Sequence, residues 1–246
     1  MKKNALITGA TGGLAQSLVK KLAGHNYDLV LVSRNSEKIH SLYGDKHTQI
    51  IADCSNFKGV KQLFDEIAER DITLDSFAHC VGNIKLSSLH RTSEDDFIDC
   101  ISTNLFSAFF TLSGFVDHLK KSSSQGSAVF VSSAAASIGI SNHEAISAAK
   151  AGLEALIRSA AATYASSNIR INAVSPGLLD TPAASHLLTS DLLREMAAKQ
   201  YPIKGIGNTE DVADLMVWLL SEKAQRVTGQ VWSIDGGFSN IRPLVK

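Results

Sequence analysis

Short apolar runs alternate with longer amphipathic stretches along most of the chain. Val129-Phe130-Val131 has the length and composition of a buried strand, whereas Phe57 to Arg70 repeats its apolar residues at helical spacing. The same patterns predict strands at Asn4–Thr8, Tyr27–Val32, Ile50–Cys54, Leu74–Gly82, Ile169–Val174 and from Thr228 onward. They predict helices up to about Gly24, over residues 94–120, around Lys150, over Pro182 to Pro202 and over Asp211–Ser221. This alternation favours an α/β fold built on a parallel sheet.

Length and composition fit one compact unit. The chain has 246 residues, 44% of them hydrophobic, which is enough to bury a full core. It shows neither an internal repeat nor a low-complexity linker, so we expect a single domain over residues 1–246.

Charge and cysteine usage narrow the choice of partners and compartment. Lys+Arg and Asp+Glu both number 24, which argues against nucleic acid and against an anionic membrane surface as partners. No apolar run approaches the roughly 18–20 residues of a membrane span. The three cysteines, Cys54, Cys80 and Cys100, form no C-x-x-C pair, so we expect no metal site and a reducing cytoplasm. A small molecule is the expected substrate.

The first predicted strand runs directly into a glycine-rich turn, T-G-A-T-G-G-L-A, and then into a helix. Glycines let the backbone approach phosphate oxygens, and a helix N-terminus offers free N–H groups and a positive dipole end. The turn therefore predicts a pyrophosphate site that includes Gly9, Thr11, Gly13 and Leu14.

The stretch from Val129 to Gly152 carries the chemistry. Its strand ends in Ser132-Ser133, and Lys150 follows on the next helix, the place where an open α/β sheet gathers reactive side chains. This arrangement resembles the catalytic segment of the short-chain dehydrogenase/reductase family, in which a serine precedes Tyr-x-x-x-Lys. Ser133 and Lys150 fall in register with that pattern, and Ile146 stands at the tyrosine position.

The resemblance extends over essentially the whole chain, with its motifs in the family's order. It implies a Rossmann-type, doubly wound parallel sheet of about seven strands with helices on both faces. It implies that Asn104 breaks its helix locally and serves a proton relay to Lys150. It also implies further cofactor contacts at Asp53, Cys54, Gly82, Lys150, Pro176, Gly177 and Thr181.

The end of the second strand indicates which nicotinamide cofactor is used. Relatives that bind NAD place an acidic residue there to hold the ribose 2′-hydroxyl. Here Ser33 occupies the position and Arg34 follows, and a guanidinium pairs well with a 2′-phosphate. The resemblance therefore implies NADP(H).

The fourth strand departs from the family pattern. Relatives end this strand in Asn-Asn-Ala-Gly, whereas this chain has His79-Cys80-Val81-Gly82. We expect His79 and Cys80 to be structural replacements, because no partner lies at metal-binding spacing.

Since Ile146 cannot donate a proton, another donor is needed. Ser141 and Glu144 match a capping box, which would put His143 in the first helical turn, on the face of Lys150. The enoyl-acyl carrier protein reductases, a divergent branch of the same family, separate Tyr and Lys by the same seven residues. We therefore predict that His143 is catalytic, with a neutral ring that donates an N–H hydrogen bond. Tyr201 is the alternative donor.

Two functions follow. The first is an NADP(H)-dependent oxidoreductase that transfers hydride to a carbonyl or an activated double bond. The second is an inactive NADP(H)-binding sensor or assembly protein. The resemblance also implies a homo-oligomer, a tetramer or dimer, in which alanines at 148–149 and 160–162 would pack against a partner helix.

Overall fold

The computed structural model describes residues 2–243 and contains one seven-stranded sheet. Its spatial order is β3-β2-β1-β4-β5-β6-β7, and every neighbouring pair is parallel. The strands are β1 (Lys3–Thr8), β2 (Tyr27–Ser33), β3 (Thr48–Ile51), β4 (Ser76–His79), β5 (Gly126–Val131), β6 (Ile169–Pro176) and β7 (Val231–Ile234).

Helices cover both faces of the sheet. They are α1 (Gly13–Gly24), α2 (Ser36–Tyr43), α3 (Phe57–Glu69), α4 (Glu94–Ile101), α5 (Ser107–Lys121), α6 (Glu144–Tyr164), α7 (Asp191–Ala198) and α8 (Thr209–Leu220). A π-helical turn, Ser102–Phe106, joins α4 to α5 without a break in the helical path. No helix within residues 2–243 combines the length and apolarity needed to cross a bilayer.

Two hydrophobic cores lie on opposite faces, because strand side chains alternate between them. Leu6 and Phe77 point into the core under α3, α5 and α6, whereas Ile7 and Ala78 point into the core under α1 and α8. The predicted Rossmann-type α/β fold is confirmed.

Two predicted strands were too long. The strand predicted at Ile50–Cys54 ends its sheet hydrogen bonding at Ile51. The strand predicted at Leu74–Gly82 pairs with its neighbours only from Ser76 to His79. The extra residues look strand-like because Ala52 and Cys54 are buried, although they already belong to loops at the carboxyl edge of the sheet.

The strand order reverses between β1 and β4. The chain runs from β1 toward β2 and β3 on one side, and from β4 toward β7 on the other. At such a switch point the loops after the two central strands diverge and leave a crevice, which is where open α/β sheets bind ligands.

Candidate active site and cofactor crevice

The glycine-rich turn after β1 is built almost entirely from backbone. Gly9 has φ +69°, and a Cβ there would lie 2.8 Å from the backbone of Cys80. Only glycine fits this position. Helix α1 has Gly12 at its N-cap and no side-chain cap, so no side chain competes for its first N–H groups. This cradle suits a pyrophosphate.

Neighbouring residues anchor the cradle. Leu14 is buried in the first turn of α1, and the Thr11 carbonyl accepts a hydrogen bond from the Gln16 side chain at 3.2 Å. A Cβ on Gly13 would meet the Thr181 side chain at 3.1 Å. The turn after β1 and the loop after β6 are therefore in close contact.

One end of the crevice lies at the ends of β2 and β3, where the family resemblance implies that the adenosine of the cofactor would bind. Ser33 is buried and its hydroxyl accepts the Asn35 N–H at 3.1 Å, whereas Arg34 is exposed. Arg34 and Asp53 line a cavity of about 240 Å³. Cys54 is buried beside them, and burial raises the pKa of its thiol to about 12, so it stays protonated.

At the other end, Lys150, Asn104 and Gly82 converge. Lys150 Nζ donates to the Val131 carbonyl at 2.7 Å. A Cβ on Gly82 would lie 3.6 Å from that Nζ and 3.0 Å from Asn104 Oδ1. Burial lowers the pKa of Lys150 to about 8, because the charged ammonium loses hydration.

The π-helical turn explains how a buried asparagine sits inside a helix. Asn104 Nδ2 donates to the Cys100 carbonyl at 3.0 Å and to Asn83 Oδ1 at 2.7 Å, and Asn83 Nδ2 donates to Asp99 at 3.0 Å. The backbone N–H of Asn83 donates to Asn104 Oδ1 at 3.3 Å. These bonds fix the amide with its oxygen beside Lys150. Asn83 was not predicted as a site residue, because no sequence motif distinguishes the position after Gly82.

His79 ties β1 and β4 to helix α5. The Ser107 hydroxyl donates to the Thr103 carbonyl at 2.6 Å, so it accepts from His79 Nε2 at 3.0 Å. His79 Nδ1 then accepts from Thr8 Oγ1 at 2.8 Å. Burial, reinforced by the charge of Lys150, lowers the pKa of His79 to about 3. This neutral, bonded ring is structural, as predicted.

The neighbouring thiol has no reactive role in this geometry. Burial raises the pKa of Cys80 to about 12, so the sulfur remains a thiol. Within residues 2–243, no group of three or more His, Cys, Asp or Glu side chains is placed to hold a metal ion.

The predicted capping box is wrong. Helix α6 begins at Glu144 with His143 at the N-cap, and Asn142 before it has φ +62°. The left-handed turn at Asn142 moves Ser141 out of capping position. His143 Nδ1 lies 2.8 Å from the Ser141 carbonyl, which only accepts, so Nδ1 carries the proton. A neutral His143 then presents a lone pair at Nε2, contrary to the predicted N–H donation.

Two neighbouring residues frame the start of α6. Ser133 caps the short 3₁₀ turn after β5 and accepts the Ala135 N–H at 3.2 Å, which leaves its own hydroxyl proton free. Ile146 is buried and packs against Cys100 and Ala149. One turn before Lys150, the helix therefore presents a hydrocarbon to the protein interior.

Tyr201 supports the loop after β6. Its hydroxyl accepts the Leu178 N–H at 2.7 Å, and a Cβ on Gly177 would lie 2.7 Å from its ring. The ring also packs against Phe238. These contacts hold the tyrosine against Gly177, and because its hydroxyl accepts the Leu178 N–H, its own proton is not used in that bond.

A second cavity, of about 460 Å³, opens between the loop after β4 and the segment after Thr181. That volume lies in the range of small-molecule sites. Sequence patterns did not single out its histidine. The helix predicted over Pro182 to Pro202 is instead a 3₁₀ segment, Pro182–Leu187, which contains His186, followed by the short helix α7. The cavity is lined by residues 84–87, Thr92, Asp96, Ala145, His186 and Leu187.

The crevice at the switch point and its glycine cradle define a dinucleotide-binding α/β protein. The sequence profile of a family described as Enoyl-(Acyl carrier protein) reductase matches residues 9–239. The chain therefore belongs to the short-chain dehydrogenase/reductase family, a family of oxidoreductases.

Individual relatives align over nearly their full lengths. The 3-oxoacyl-(acyl-carrier-protein) reductase FabG of Chlamydia pneumoniae is 32% identical over 243 residues, covering 96% of this chain and 97% of the relative. Carbonyl reductase family member 4 of Danio rerio is 31% identical over 241 residues, covering 96% and 98%. The solved structure of ElxO with NADP bound superposes with a TM-score of 0.89 at 27% identity, covering 97% and 99%. A tyrosine-to-phenylalanine variant of ElxO has been solved with NADPH bound.

Proposed function

We propose that this chain is an NADP(H)-dependent oxidoreductase that transfers hydride to a carbonyl or an activated double bond. The observation that carries the cofactor choice is Arg34, exposed at the rim of the adenosine cavity directly after Ser33, where an acidic residue would mark NAD. Similarity to ElxO, which was solved with NADP bound, supports the same cofactor choice, and similarity to a carbonyl reductase supports the reaction class.

The residues present fit such a cofactor. The uncapped N-terminus of α1 and the backbone around Gly9 and Gly13 would hold the pyrophosphate. Lys150 would contact the nicotinamide ribose, and Thr181, which lies beside Gly13, would contact the cofactor from the loop after β6. The bound nicotinamide supplies the hydride; the proton must come from the protein or from water.

We further propose that the chain lacks the family's active-site tyrosine, since Ile146 holds that position and is buried in hydrocarbon. Ser133 would then position the acceptor oxygen through its free hydroxyl proton. The Lys150 ammonium would stabilise negative charge developing on that oxygen.

His143 stays our proposed proton donor, in a changed chemical form. Because Nδ1 is bound to the Ser141 carbonyl, donation from Nε2 requires the imidazolium. The imidazolium gives up the Nε2 proton to the acceptor oxygen and becomes the neutral ring with its proton on Nδ1. The half-buried position of the side chain at the N-cap leaves it open to recharging from solvent.

A substrate panel tests the oxidoreductase assignment. Wild type is mixed with NADPH and a ketone, a quinone or an enoyl thioester, and nicotinamide absorbance is followed. We expect turnover with at least one class. Tight NADPH binding without turnover, combined with activity in Ile146→Tyr, would instead support the inactive sensor.

We also propose a homo-oligomer, with one correction to the predicted interface. Ala149, Ala160 and Ala161 face the core and are unavailable to a partner. Exposed Ala148 and Ala162 remain on α6, and Phe106 and Phe109 are about half exposed near the start of α5. Light scattering at micromolar protein should give a dimer or tetramer mass, and a monomer mass would refute this proposal.

A further inference from the structure

The adenosine cavity has a second cation on its wall. Besides Arg34 and Asp53, the cavity of about 240 Å³ is lined by Lys58 and Gln62 from the start of α3. Lys58 belongs to no motif of the family pattern described above. Its place in the cavity comes from the fold, which brings the start of α3 against the ends of β2 and β3.

The backbone of Lys58 is fixed at this rim. A Cβ on the next residue, Gly59, would lie only 2.1 Å from the Asp53 carbonyl oxygen, so α3 is pressed against the loop after β3. The Asn56 side chain caps the helix by accepting the Gly59 N–H at 2.9 Å. The exposed Lys58 side chain therefore starts from a rigid point beside the cavity.

The carboxylate in the cavity is already occupied by other donors. Asp53 Oδ1 accepts the Ser55 N–H at 2.9 Å and the Ser55 hydroxyl at 2.7 Å, and Oδ2 accepts from Asn56 at 3.1 Å. Burial raises the pKa of Asp53, but these bonds and the Arg34 charge outweigh it and hold the pKa below its usual value. Asp53 is thus ionised, and its oxygens are turned toward Ser55 and Asn56.

Although the Arg34 charge acts on Asp53, neither Arg34 nor Lys58 is held in an ion pair with a carboxylate within residues 2–243, so both side chains can turn toward a ligand. Lys61, one turn further along α3, differs from Lys58 because it is paired: its Nζ lies 2.6 Å from an Asp65 carboxylate oxygen. An unpaired arginine and an unpaired lysine on one small cavity favour a dianionic group over a neutral hydroxyl.

We propose that Lys58 is a second specificity-determining residue for the 2′-phosphate of NADP(H), acting together with Arg34. Arg34 provides the planar guanidinium fork, and Lys58 provides a point charge from the start of α3. A neutral 2′-hydroxyl is not stabilised by the second cation. Lys58 should therefore strengthen the binding of NADP(H) and leave the binding of NAD(H) unchanged. This inference rests on the proposed function.

Calorimetric titration of Lys58→Gln with NADPH and with NADH tests the inference without any turnover. We expect NADPH to bind roughly 3- to 10-fold more weakly than to wild type, as for a solvent-screened charge pair, and NADH to bind unchanged. Lys58→Arg should restore most of the NADPH affinity. Lys61→Gln is the matched control and should leave both affinities unchanged.

Fragment probes locate the effect. Adenosine 2′,5′-bisphosphate should lose affinity in Lys58→Gln by the same factor as NADPH, and adenosine 5′-monophosphate should not. The loss should shrink as salt is raised, since exposed charges are screened.

The outcomes separate this inference from the function on which it rests. Suppose that Lys58→Gln binds NADPH as tightly as wild type does, while Arg34→Ala loses the preference for NADPH over NADH. Lys58 then has no role in cofactor specificity, and the proposed NADP(H)-dependent function is retained. If Lys58→Gln weakens NADPH and NADH equally, the lysine does not read the 2′-phosphate and the inference is overturned. If wild type binds neither nucleotide, the proposed function fails first.

Discussion

The turn after β1 and the start of α6 are two parts of the candidate site, and they are built differently. The turn is made of backbone, and its glycines are required by φ +69° at Gly9 and by contact with Cys80. The start of α6 depends on which side chains the first helical turn presents, and there the predicted helix start was wrong. Backbone-built sites are readable from sequence because few residues fit them. Side-chain sites require the helix start to be known to within a residue.

The largest effect is expected when the lysine of the α6 region is removed. Lys150→Ala deletes the donor to the Val131 carbonyl and the ammonium beside Gly82. We expect kcat to fall by about 10³-fold and NADPH affinity to fall as well, since both charge stabilisation and ribose contact are lost. Steady-state kinetics and calorimetry check it, with Lys120→Ala on α5 as the control.

The wild-type pH profile sharpens the same prediction. With a pKa of about 8, Lys150 is an ammonium below that pH and a neutral amine above it. The share of turnover that depends on this ammonium should therefore decline as pH rises through about 8. Full activity in Lys150→Ala would remove the lysine from the mechanism.

A smaller effect is expected at His143, the N-cap residue of α6. His143→Phe should lower kcat by at least ~100-fold, because general acid catalysis contributes factors of that size, while NADPH affinity stays nearly constant. His25→Phe is the matched control, since His25 Nδ1 makes the same 2.8 Å contact with a carbonyl at the far end of α1. Unchanged turnover in His143→Phe would assign the proton to water.

His79 ties β1, which runs into the glycine-rich turn, to helix α5 through buried hydrogen bonds, and its effect is on stability. Its pKa of about 3 in the fold lies below the unfolded value of about 6.5, so the unfolded chain takes up the proton first on acidification. Stability should be lost as pH falls from about 6.5 toward 3, by up to ~1.4 kcal/mol per pH unit from this group.

Urea unfolding of wild type and His79→Asn at about pH 7, 6 and 5 measures that contribution. The variant should lose the histidine's part of the acid slope, whereas exposed His90→Asn should keep it. Identical slopes in wild type and His79→Asn would show that the buried ring does not carry this linkage.

Most of the fold could be predicted because buried strands and amphipathic helices produce clear periodic patterns of apolar residues in the sequence. The exception is α2, where only Ile39 of eight residues is buried, so the segment carries no apolar stripe. At α6, Ser141 and Glu144 matched a capping pattern, but the left-handed Asn142 redirected the chain. Asn83 and Lys58 could not be found from sequence, since their partners are brought to them by the sheet topology alone.

One measurement tests the central claim most directly: paired calorimetric titrations of wild type and Arg34→Ala with NADPH and NADH. We predict that wild type binds NADPH roughly 10- to 100-fold more tightly than NADH, as a charge-assisted pair worth about 1.5–3 kcal/mol implies. Arg34→Ala should lose most of that preference through weaker NADPH binding alone. Equal affinities of wild type for the two cofactors, or an Arg34→Ala variant that keeps the preference, would contradict the account.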